Sequence, residues 1–350
     1  MEKYYTRACN FYYGSLSKEK IKKKLSLPLN GNNLISFDNI EIITRKYKKK
    51  IHIKKIKKLS NKIQKKINID IKLITQKKKF KGLNFLNSPI LMGVINLTPD
   101  SFSDGGKYNK KNLGFTHARY LIKKGCQILD IGGESTRPGA KDVNTKSEWK
   151  RINKTLKKIK KLNKFISLDT RKSWIMKQGI KSKIDLINDV SSFKYDANSA
   201  NIVKKNKTPF VIHHMQGNPK NMQKNPRYKN VLLDIYDFFE NKIKKMRSLG
   251  IKHNNIILDP GIGFGKNLKH NITLSNNISI FHSLGFPILL GTSRKKFIKD
   301  LSRNNDSKER IGGTISSSLY AMMQGVQILR VHDVNEVNQS IKVFKSLNFK

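Results

Sequence analysis

The side chains of this chain that are best suited to chemistry come directly after short apolar runs. In chain order they are Asn96, Glu134, Thr136, Arg137, Asp169, Asn188, His213, Asp259, Ser293, Arg294, Lys295, Arg330, His332 and Asp333. Amides and carboxylates form directional hydrogen bonds with a flat heterocycle, whereas arginine, lysine, histidine and hydroxyl groups bind anions such as phosphate. The mixture predicts a phosphorylated, nitrogen-rich small molecule as the ligand.

Two carboxylates in this set each end an apolar run. Asp169 stands in Ser-Leu-Asp-Thr-Arg and Asp259 in Ile-Leu-Asp-Pro-Gly. A buried carboxylate must find hydrogen-bond donors, because an unpaired buried charge is strongly destabilising. Two interpretations stay open for each: an N–H/NH₂ edge of a ligand supplies the donors, or a Lys or Arg from a neighbouring strand pairs with the carboxylate.

The segment 259–266, Asp-Pro-Gly-Ile-Gly-Phe-Gly-Lys, is rich in glycine. It matches neither the dinucleotide fingerprint nor the P-loop, because the glycines and the Ser/Thr that those motifs require are missing. It predicts instead a loop with Phe264 facing a ligand ring, with a core position for this side chain as the alternative.

His213 and His214 are neighbours on a predicted strand, so they point to opposite faces and do not form a metal site together.

The apolar runs have the length of buried strands. We count eight: Ile90–Ile95, Ile128–Ile131, Phe165–Leu168, Ile184–Ile187, Phe210–Ile212, Ile256–Leu258, Ile288–Leu290 and Ile328–Val331. Apolar residues at helical spacing lie between several of them, for example over 149–162 and 311–322. This alternation predicts an α/β fold with a parallel sheet.

Two α/β architectures fit this pattern, the closed (β/α)₈ TIM barrel and the open doubly wound sheet. An open sheet concentrates its functional residues at one switch point in the strand order. Here polar residues follow nearly every run. The sequence therefore favours the TIM barrel, with the chemistry at the C-terminal ends of its strands.

The chain is longer than one barrel of roughly 250 residues requires. Its first part contains short apolar segments at Ile40–Ile43 and Asn68–Ile74, which we interpret as strands, and a lysine-rich amphipathic helix over Ile51–Ile67. We therefore predict a small N-terminal α+β extension, residues 1–85, to which no role is assigned. Residues 86–350 form the predicted barrel domain.

The chain is strongly basic, with 72 Lys+Arg against 24 Asp+Glu and a formal net charge of +48. The lysines are spread along the whole sequence, and few aromatic residues stand among those of 46–58 and 154–164, so the charge does not favour a nucleic-acid partner. The sequence contains no apolar stretch long enough to span a membrane, and its two cysteines are too few for a disulfide framework. We expect no secretory leader, because residues 1–17 contain no continuous apolar run. We expect a cytoplasmic protein without a membrane partner.

The motifs at the ends of the runs identify a family. MGVINLTPDSFSDGG, ILDIGGESTRPGA, SLDT, INDVSS, DPGIGFGK, GTSRK and RVHDV occur in this order between Met92 and Val334. The chain closely resembles the dihydropteroate synthase family of pterin-binding TIM barrels. The resemblance implies a transferase of folate biosynthesis that joins 4-aminobenzoate to 6-hydroxymethyl-7,8-dihydropterin diphosphate, with Mg²⁺ as cofactor and a homodimer as the assembly.

The family pattern also implies roles for individual residues. The pterin is expected to contact Asp169, Asn188, Asp259 and Lys295. Asn96 is expected to hold the diphosphate-bound Mg²⁺, with Arg330 and His332 on the diphosphate, so that the candidate catalytic residues are Asn96, Lys295, Arg330 and His332. The aminobenzoate site is expected to be shaped by Phe102, Thr136, Arg137, Pro138, Phe264 and Ser293.

Three other functions fit this sequence less well. A folate-binding methyltransferase barrel also binds a pterin with carboxylates and amides, but it has no reason to combine Ser-Arg-Lys, Thr-Arg-Pro and an Arg/His pair for diphosphate. A basic nucleic-acid-binding protein would carry stacking aromatic residues among its lysines. An inactive paralogue would have lost some of the site residues, whereas this sequence keeps the whole set.

Overall fold

The computed structural model describes residues 2–85, 88–98, 112–137, 139–303 and 305–349. The N-terminal part is an antiparallel sheet with two helices packed against it. Its elements are β1 (Tyr5–Tyr13), α1 (Gly14–Lys22), β2 (Leu27–Leu29), β3 (Asn32–Ile43), β4 (Lys48–His52) and α2 (Asn61–Thr75). The long strand β3 pairs with each of the others, and its register with β1 runs from Tyr5 opposite Ile43 to Tyr13 opposite Ile35. The sheet and α2 enclose a core of their own that includes Ala8, Phe37, Ile40, Ile67 and Ile74.

The strand predicted at Asn68–Ile74 is wrong, since these residues lie in α2. The alternation of apolar and polar residues there suggested a strand, yet the side chains that α2 buries are Ile67, Asp70 and Ile74, at the three- and four-residue spacing of a helix. The predicted helix over Ile51–Ile67 is also displaced. Its first residues belong to β4 and to a 3₁₀ turn at Ile53–Lys58, and the α-helix begins only at Asn61.

The rest of the chain forms a barrel of parallel strands. Within the described ranges the strands are eight: β5 (Ile90–Asn96), β6 (Ile128–Gly132), β7 (Phe165–Asp169), β8 (Leu186–Asp189), β9 (Phe210–His213), β10 (Ile256–Asp259), β11 (Leu289–Leu290) and β12 (Ile328–Val331). They pair in the order β10-β9-β8-β7-β6-β5-β12-β11. A bridge between Leu258 and Ile288 joins the two ends of this order and closes the ring. Each of these strands overlaps one predicted run, so the predicted TIM barrel is confirmed.

Helices cover the outside of the barrel. They are α3 (Leu113–Lys123), α4 (Thr145–Ile159), α5 (Ser173–Lys181), α6 (Ser199–Asn206), α7 (Val231–Ser248), α8 (Leu268–Asn276), α9 (Lys296–Ser302), α10 (Ile311–Met323) and α11 (Val334–Asn348). Three of them begin at an asparagine whose side chain accepts a backbone N–H of the first turn, namely Asn144, Asn230 and Asn267. Such caps satisfy donors that a helix start leaves open and fix where the helix begins. In the part of the chain that the structure describes, no helix is long and apolar enough to cross a membrane.

Alternate residues of each strand face the barrel interior, and their character changes along the strand. Near the N-terminal ends the inward side chains are apolar and form one cluster that includes Ile128, Leu186, Val211, Ile257 and Ile328. Two residues further on, the inward positions are polar, as at Asp130, Asn188, His213, Asp259 and Arg330. The strands therefore carry a packed apolar layer at one end and a polar layer at the other.

The segment that leads into β5 closes the apolar end of the barrel. Phe80 and Phe85 are buried in the same cluster as the inward residues of the strands, and the ring centroid of Phe80 lies 6.4 Å from that of Phe165. These two side chains belong to the predicted extension, 1–85, and reach into the predicted barrel domain, 86–350. The division between the two at residue 85 remains a prediction.

The extension is also fixed to the barrel by polar contacts. The hydroxyl of Ser279 donates to the carbonyl of Ala8 at 2.9 Å, and the hydroxyl of Tyr13 donates to the carbonyl of Met323 at 3.0 Å. The hydroxyl of Tyr5 donates to the carboxylate of Asp237 on α7 at 2.9 Å. These contacts lie away from the polar ends of the strands, so the extension leaves that face of the barrel open.

Candidate active site

A cleft of about 340 Å³ lies at the C-terminal ends of the barrel strands. It is lined by Thr136, Asp169, Asn188, Val190, His213, Asp259, Gly261, Ile262, Phe264, Gly291, Lys295 and Arg330. The predicted pterin residues, Asp169, Asn188, Asp259 and Lys295, all belong to this set. Because the strands are parallel, their C-terminal ends meet in one place, and side chains far apart in sequence converge there.

Arg330 is held by two carboxylates. Its Nε donates to Asp130 Oδ2 at 2.7 Å and its Nη2 donates to Asp169 Oδ2 at 2.9 Å. Burial raises the pKa of Asp169, and the nearby carboxylate of Asp130 raises it further, whereas Arg330 lowers it. Asp169 therefore does form an ion pair, but its partner Arg330 lies on β12, which is separated from β7 by β6 and β5, and not on a neighbouring strand as predicted.

Asp259 has a different environment. Its Oδ1 accepts the backbone N–H of Gly261 at 2.7 Å, and its Oδ2 lies 3.9 Å from Nε2 of His213. Burial raises the pKa of the Asp259 carboxyl, while the Gly261 N–H and the charge of Lys295 act in the opposite direction. The carboxylate retains acceptor capacity that faces the cleft, as a group that binds N–H donors of a ligand requires.

Lys295, Phe264 and His213 form one wall of the cleft. The ammonium of Lys295 lies 4.0 Å from the ring centroid of Phe264, which in turn meets His213 edge to face at 4.6 Å. Burial and then the positive charge of Arg330 lower the pKa of Lys295. Nδ1 of His213 lies 3.0 Å from the carbonyl of Val190, so this nitrogen carries the proton and Nε2 is left as an acceptor. Phe264 thus lines the cleft, and that it faces a ligand ring stays a prediction.

Positive charges collect beside this wall. Ser293 Oγ lies 3.1 Å from Nδ1 of His332, and Arg294 forms an ion pair with Asp333. Burial lowers the pKa of His332 well below its ordinary value, and the nearby charges of Arg330, Arg294, Arg137 and Lys295 lower it further. Cations in such proximity repel one another, and a bound anion would relieve that repulsion. The arrangement fits an anionic ligand group next to the cleft.

The loop after β6 carries Thr136 and Arg137 and is fixed by a buried ion-pair network. Glu134 accepts hydrogen bonds from Arg171 and from Lys172, both at 2.7 Å. Burial opposes ionisation of Glu134, but these partners hold the pKa of its carboxyl below the ordinary value. The network ties the start of this loop to the start of α5.

The remaining predicted residues are placed as follows. Asn96 is the last residue of β5 and pairs in register with Gly132 of β6. Gly132 in turn pairs in register with Asp169 of β7. Phe102 and Pro138 lie outside the described residues. His213, the last residue of β9, and His214, which follows it, do point to opposite faces: His213 lines the cleft, whereas Nδ1 of His214 lies 3.0 Å from the buried ammonium of Lys266.

Sequence reasoning gave no role to Asp130. This residue is fully buried, belongs to the middle of the run Ile128–Ile131 and binds Arg330. The signal that could have revealed it is a carboxylate inside an apolar strand, because such a group must have a partner. The prediction considered only residues at the ends of the runs and therefore missed it.

The predicted Mg²⁺ site consists of Asn96 alone on the protein side. Within the described ranges, no group of three or more His, Cys, Asp or Glu side chains could hold a metal ion. An amide oxygen is nevertheless a donor that Mg²⁺ accepts, and Mg²⁺ is commonly held by one or two protein oxygens together with substrate phosphates and water. The position of Asn96 at the end of β5 is compatible with that mode of binding.

Comparisons with known proteins agree with this geometry. A family model described as "Pterin binding enzyme" matches residues 92–332. Dihydropteroate synthase from Neisseria meningitidis serogroup C is 40% identical over 265 residues, which cover 75% of this chain and 94% of the relative. The family model begins after the predicted extension, 1–85.

Solved structures give the same result. Yersinia pestis dihydropteroate synthase, crystallised with a sulfonamide drug complex, has a TM-score of 0.73 and 37% identity, over 77% of this chain and 98% of that one. Xanthomonas albilineans dihydropteroate synthase with 4-aminobenzoic acid has a TM-score of 0.70 and 32% identity, over 75% and 93%. Together with the cleft, these similarities show that this chain belongs to the dihydropteroate synthase family of pterin-binding enzymes, transferases of folate biosynthesis.

Proposed function

We propose that the cleft at the C-terminal ends of the strands is where this chain condenses 4-aminobenzoate with 6-hydroxymethyl-7,8-dihydropterin diphosphate to give 7,8-dihydropteroate and diphosphate. One observation carries the assignment of the site: Asp169, Asn188 and Asp259 line the same cleft as the cationic side chains of Lys295 and Arg330. A flat heterocycle with donors along one edge and a diphosphate on its side arm needs both kinds of group.

The pterin binds to the buried polar groups. Its 2-amino group and N3–H donate to carboxylates of the cleft, of which Asp259 is the candidate with free acceptor capacity. Donation by the ligand stabilises the charged carboxylate, which burial alone disfavours. Asn188 and Lys295 complete the polar contacts, and Phe264 offers an aromatic face beside them.

The reaction begins when the C–O bond between the pterin methylene and the diphosphate breaks, with its electron pair leaving on oxygen. The methylene cation that remains is stabilised by resonance with the dihydropterin. The lone pair of the aminobenzoate nitrogen then forms the new C–N bond, and that nitrogen loses a proton. No covalent bond to the enzyme is required at any point.

The role of the protein in this reaction is electrostatic. Negative charge grows on the departing diphosphate, and fixed positive groups that already face it stabilise the transition state without reorganisation. Arg330 is such a group, because two carboxylates fix its orientation while its Nη1 stays outside both contacts. Lys295 lies in the same region and is assigned to the same role. His332, whose pKa burial holds well below its ordinary value, is assigned to bind the diphosphate as an uncharged hydrogen-bonding group.

We assign Mg²⁺ to this reaction as well. The side-chain oxygen of Asn96 and the phosphate oxygens of the substrate are its proposed ligands. When bound, the ion supplies further positive charge to the departing oxygens. The aminobenzoate site is assigned to Thr136, Arg137, Phe264 and Ser293, together with Phe102 and Pro138, which lie outside the described residues.

An assay of diphosphate release tests the function. The purified chain is mixed with the pterin diphosphate and Mg²⁺, with and without 4-aminobenzoate. We expect release that depends on 4-aminobenzoate and equals the dihydropteroate formed. Release at the same rate without the amine, or no dihydropteroate at all, would refute the proposal.

We further propose a cytoplasmic homodimer. The thiols of Cys9 and Cys126 are free and buried, which suits a reducing compartment. Helix α11 exposes Val343 and Leu347, one helical turn apart, with 55% and 75% of their surface accessible, and apolar side chains on one face suit a contact between copies. Sedimentation of the purified chain at several concentrations measures the assembly.

A further inference from the structure

Asp130 lies below the cleft and joins two of the side chains that line it. It is fully buried, at the middle of β6, and it does not itself line the cleft. On one side its Oδ2 accepts Nε of Arg330 at 2.7 Å. On the other side the amide nitrogen of Asn188 lies 3.3 Å from Oδ2 and 3.5 Å from Oδ1. The carboxylate therefore connects β12 with β8 across the interior of the barrel.

This contact determines which way the amide of Asn188 faces. A carboxylate only accepts hydrogen bonds, so the amide must turn its Nδ2 toward Asp130, since the opposite orientation would place two oxygens against each other. Oδ1 of Asn188 then points away from Asp130. It is a buried atom with no hydrogen-bond partner among the described residues, on a side chain that is 3% exposed and lines the cleft.

A buried polar atom without a partner is destabilising unless a ligand completes its hydrogen bond. We propose that Asp130 is a positioning residue for the pterin: it holds the amide of Asn188 so that Oδ1 accepts an N–H of the ligand, and it holds Arg330 through Nε. This inference rests on the proposed function and adds to it how the donor and acceptor pattern of the pterin site is set.

Asp130→Asn tests the proposal with almost no change of volume. To keep a bond to Arg330 Nε, the new amide must present its oxygen to Arg330 and its NH₂ to Asn188. The amide of Asn188 then turns over and presents NH₂ to the cleft, against an N–H of the ligand. We expect the KM and the Kd for the pterin diphosphate to rise about 10- to 100-fold, with the KM for 4-aminobenzoate unchanged. A purely structural role would alter both KM values and the melting temperature together.

A second variant gives an independent result even if Asp130→Asn folds poorly. In Asn188→Asp, two carboxylates face each other below the cleft, and their repulsion weakens pterin binding. In the double variant with Asp130→Asn, the amide of residue 130 donates to the carboxylate of residue 188. Residue 188 then presents a carboxylate oxygen to the cleft as an acceptor. The substitution at 130 is therefore expected to weaken binding when residue 188 is Asn and to strengthen it when residue 188 is Asp.

Asp70→Asn is the matched control. Asp70 is 1% exposed, accepts hydrogen bonds from Thr6 and Lys66, and lies in the extension, far from the cleft. We expect its KM values to equal those of the unmodified chain. Equal loss of affinity for both substrates in Asp130→Asn, or a double variant that binds no better than Asn188→Asp, would overturn the proposal. If the unmodified chain formed no dihydropteroate, the proposed function would be refuted instead.

Discussion

The two ends of the barrel are built by the same strands from opposite kinds of side chain. At the N-terminal end the inward residues are apolar and pack against Phe80 and Phe85 from the preceding segment. At the C-terminal end the inward residues include the buried carboxylates Asp169 and Asp259 and the half-buried Arg330, which are arranged around an open cleft. Burial of apolar surface stabilises the fold, whereas burial of charge opposes it.

This difference indicates that the residues that stabilise the fold lie at the N-terminal end of the strands, and that the residues of the candidate site lie at the C-terminal end. Burial raises the pKa values of Asp169 and Asp259 and lowers that of Lys295, so the folded state disfavours the charge of each group. The apolar end has no such groups among its clustered residues. Substitutions at the two ends should therefore affect different measured quantities. Two predictions use that contrast, and a third concerns the contact between the extension and the barrel.

The largest expected effect is that of Asp259→Ala at the polar end. It removes a buried acceptor of ligand N–H groups, and we expect kcat/KM to fall by about 10³-fold with loss of pterin diphosphate binding. Because burial raises the pKa of this carboxyl, the folded state gains little from its charge, and the free energy of unfolding should fall only by about 1 kcal/mol, for the lost hydrogen bond from the Gly261 N–H. Calorimetric titration with the pterin diphosphate and a urea unfolding curve measure the two quantities. Unchanged turnover would remove this carboxylate from the site.

Phe80→Ala should have the reverse effect at the apolar end. Phe80 is 6% exposed and packs in the apolar cluster, so the cavity left behind should lower the free energy of unfolding by about 3 kcal/mol. The KM for both substrates should stay the same, because the cleft lies at the other end of the strands. Urea unfolding and steady-state kinetics are the measurements.

Tyr47→Ala is the control for Phe80→Ala, since Tyr47 is an aromatic residue of the extension with 46% of its surface exposed. Its effect on the free energy of unfolding should stay within about 0.5 kcal/mol. If Phe80→Ala changed the KM as strongly as the stability, the two ends of the barrel would be coupled and the separation proposed above would be wrong.

The strands and the convergence of the cleft residues could be predicted because both follow from a simple physical pattern. Strands that are buried on both faces are continuous apolar runs, and the first polar residue after each run marks its C-terminal end. Asp169, Asn188 and Asp259 were found in this way, and the structure brings them together. The resemblance to the family then supplied the roles, which the pattern alone left open.

The rest could not be predicted because it depends on contacts between distant residues. Asp130 is inside a run, and its importance appears only when Arg330 and Asn188, from two other strands, are seen beside it. In α2 the alternation of Ile69, Ile71 and Leu73 with polar residues suggested a strand, yet the helix leaves Ile69 61% exposed and instead buries Asp70 against Thr6. Which side of an element is buried there is decided by the rest of the extension and not by the local pattern.

The smallest expected effect concerns the contact between the extension and the barrel. Lys78 is 3% exposed, and its ammonium donates to the carbonyl of Leu73 in the extension and to that of His282 in the barrel. Burial lowers the pKa of Lys78 to about 7. In the unfolded chain a lysine has a pKa of about 10.4. Between these two values the unfolded state binds more protons, so the contribution of Lys78 to the free energy of unfolding rises with pH.

Lys78→Met should remove this pH dependence. Between pH 7 and pH 9, the free energy of unfolding of the unmodified chain should rise relative to that of Lys78→Met by about 1 kcal/mol per pH unit. Lys79→Met, at the exposed neighbouring position, should follow the unmodified chain at both pH values. Other buried lysines, such as Lys266, titrate in all three proteins and cancel in the comparison. If the difference did not change with pH, Lys78 would be reached by solvent, and the extension would be packed less closely against the barrel than its contacts indicate.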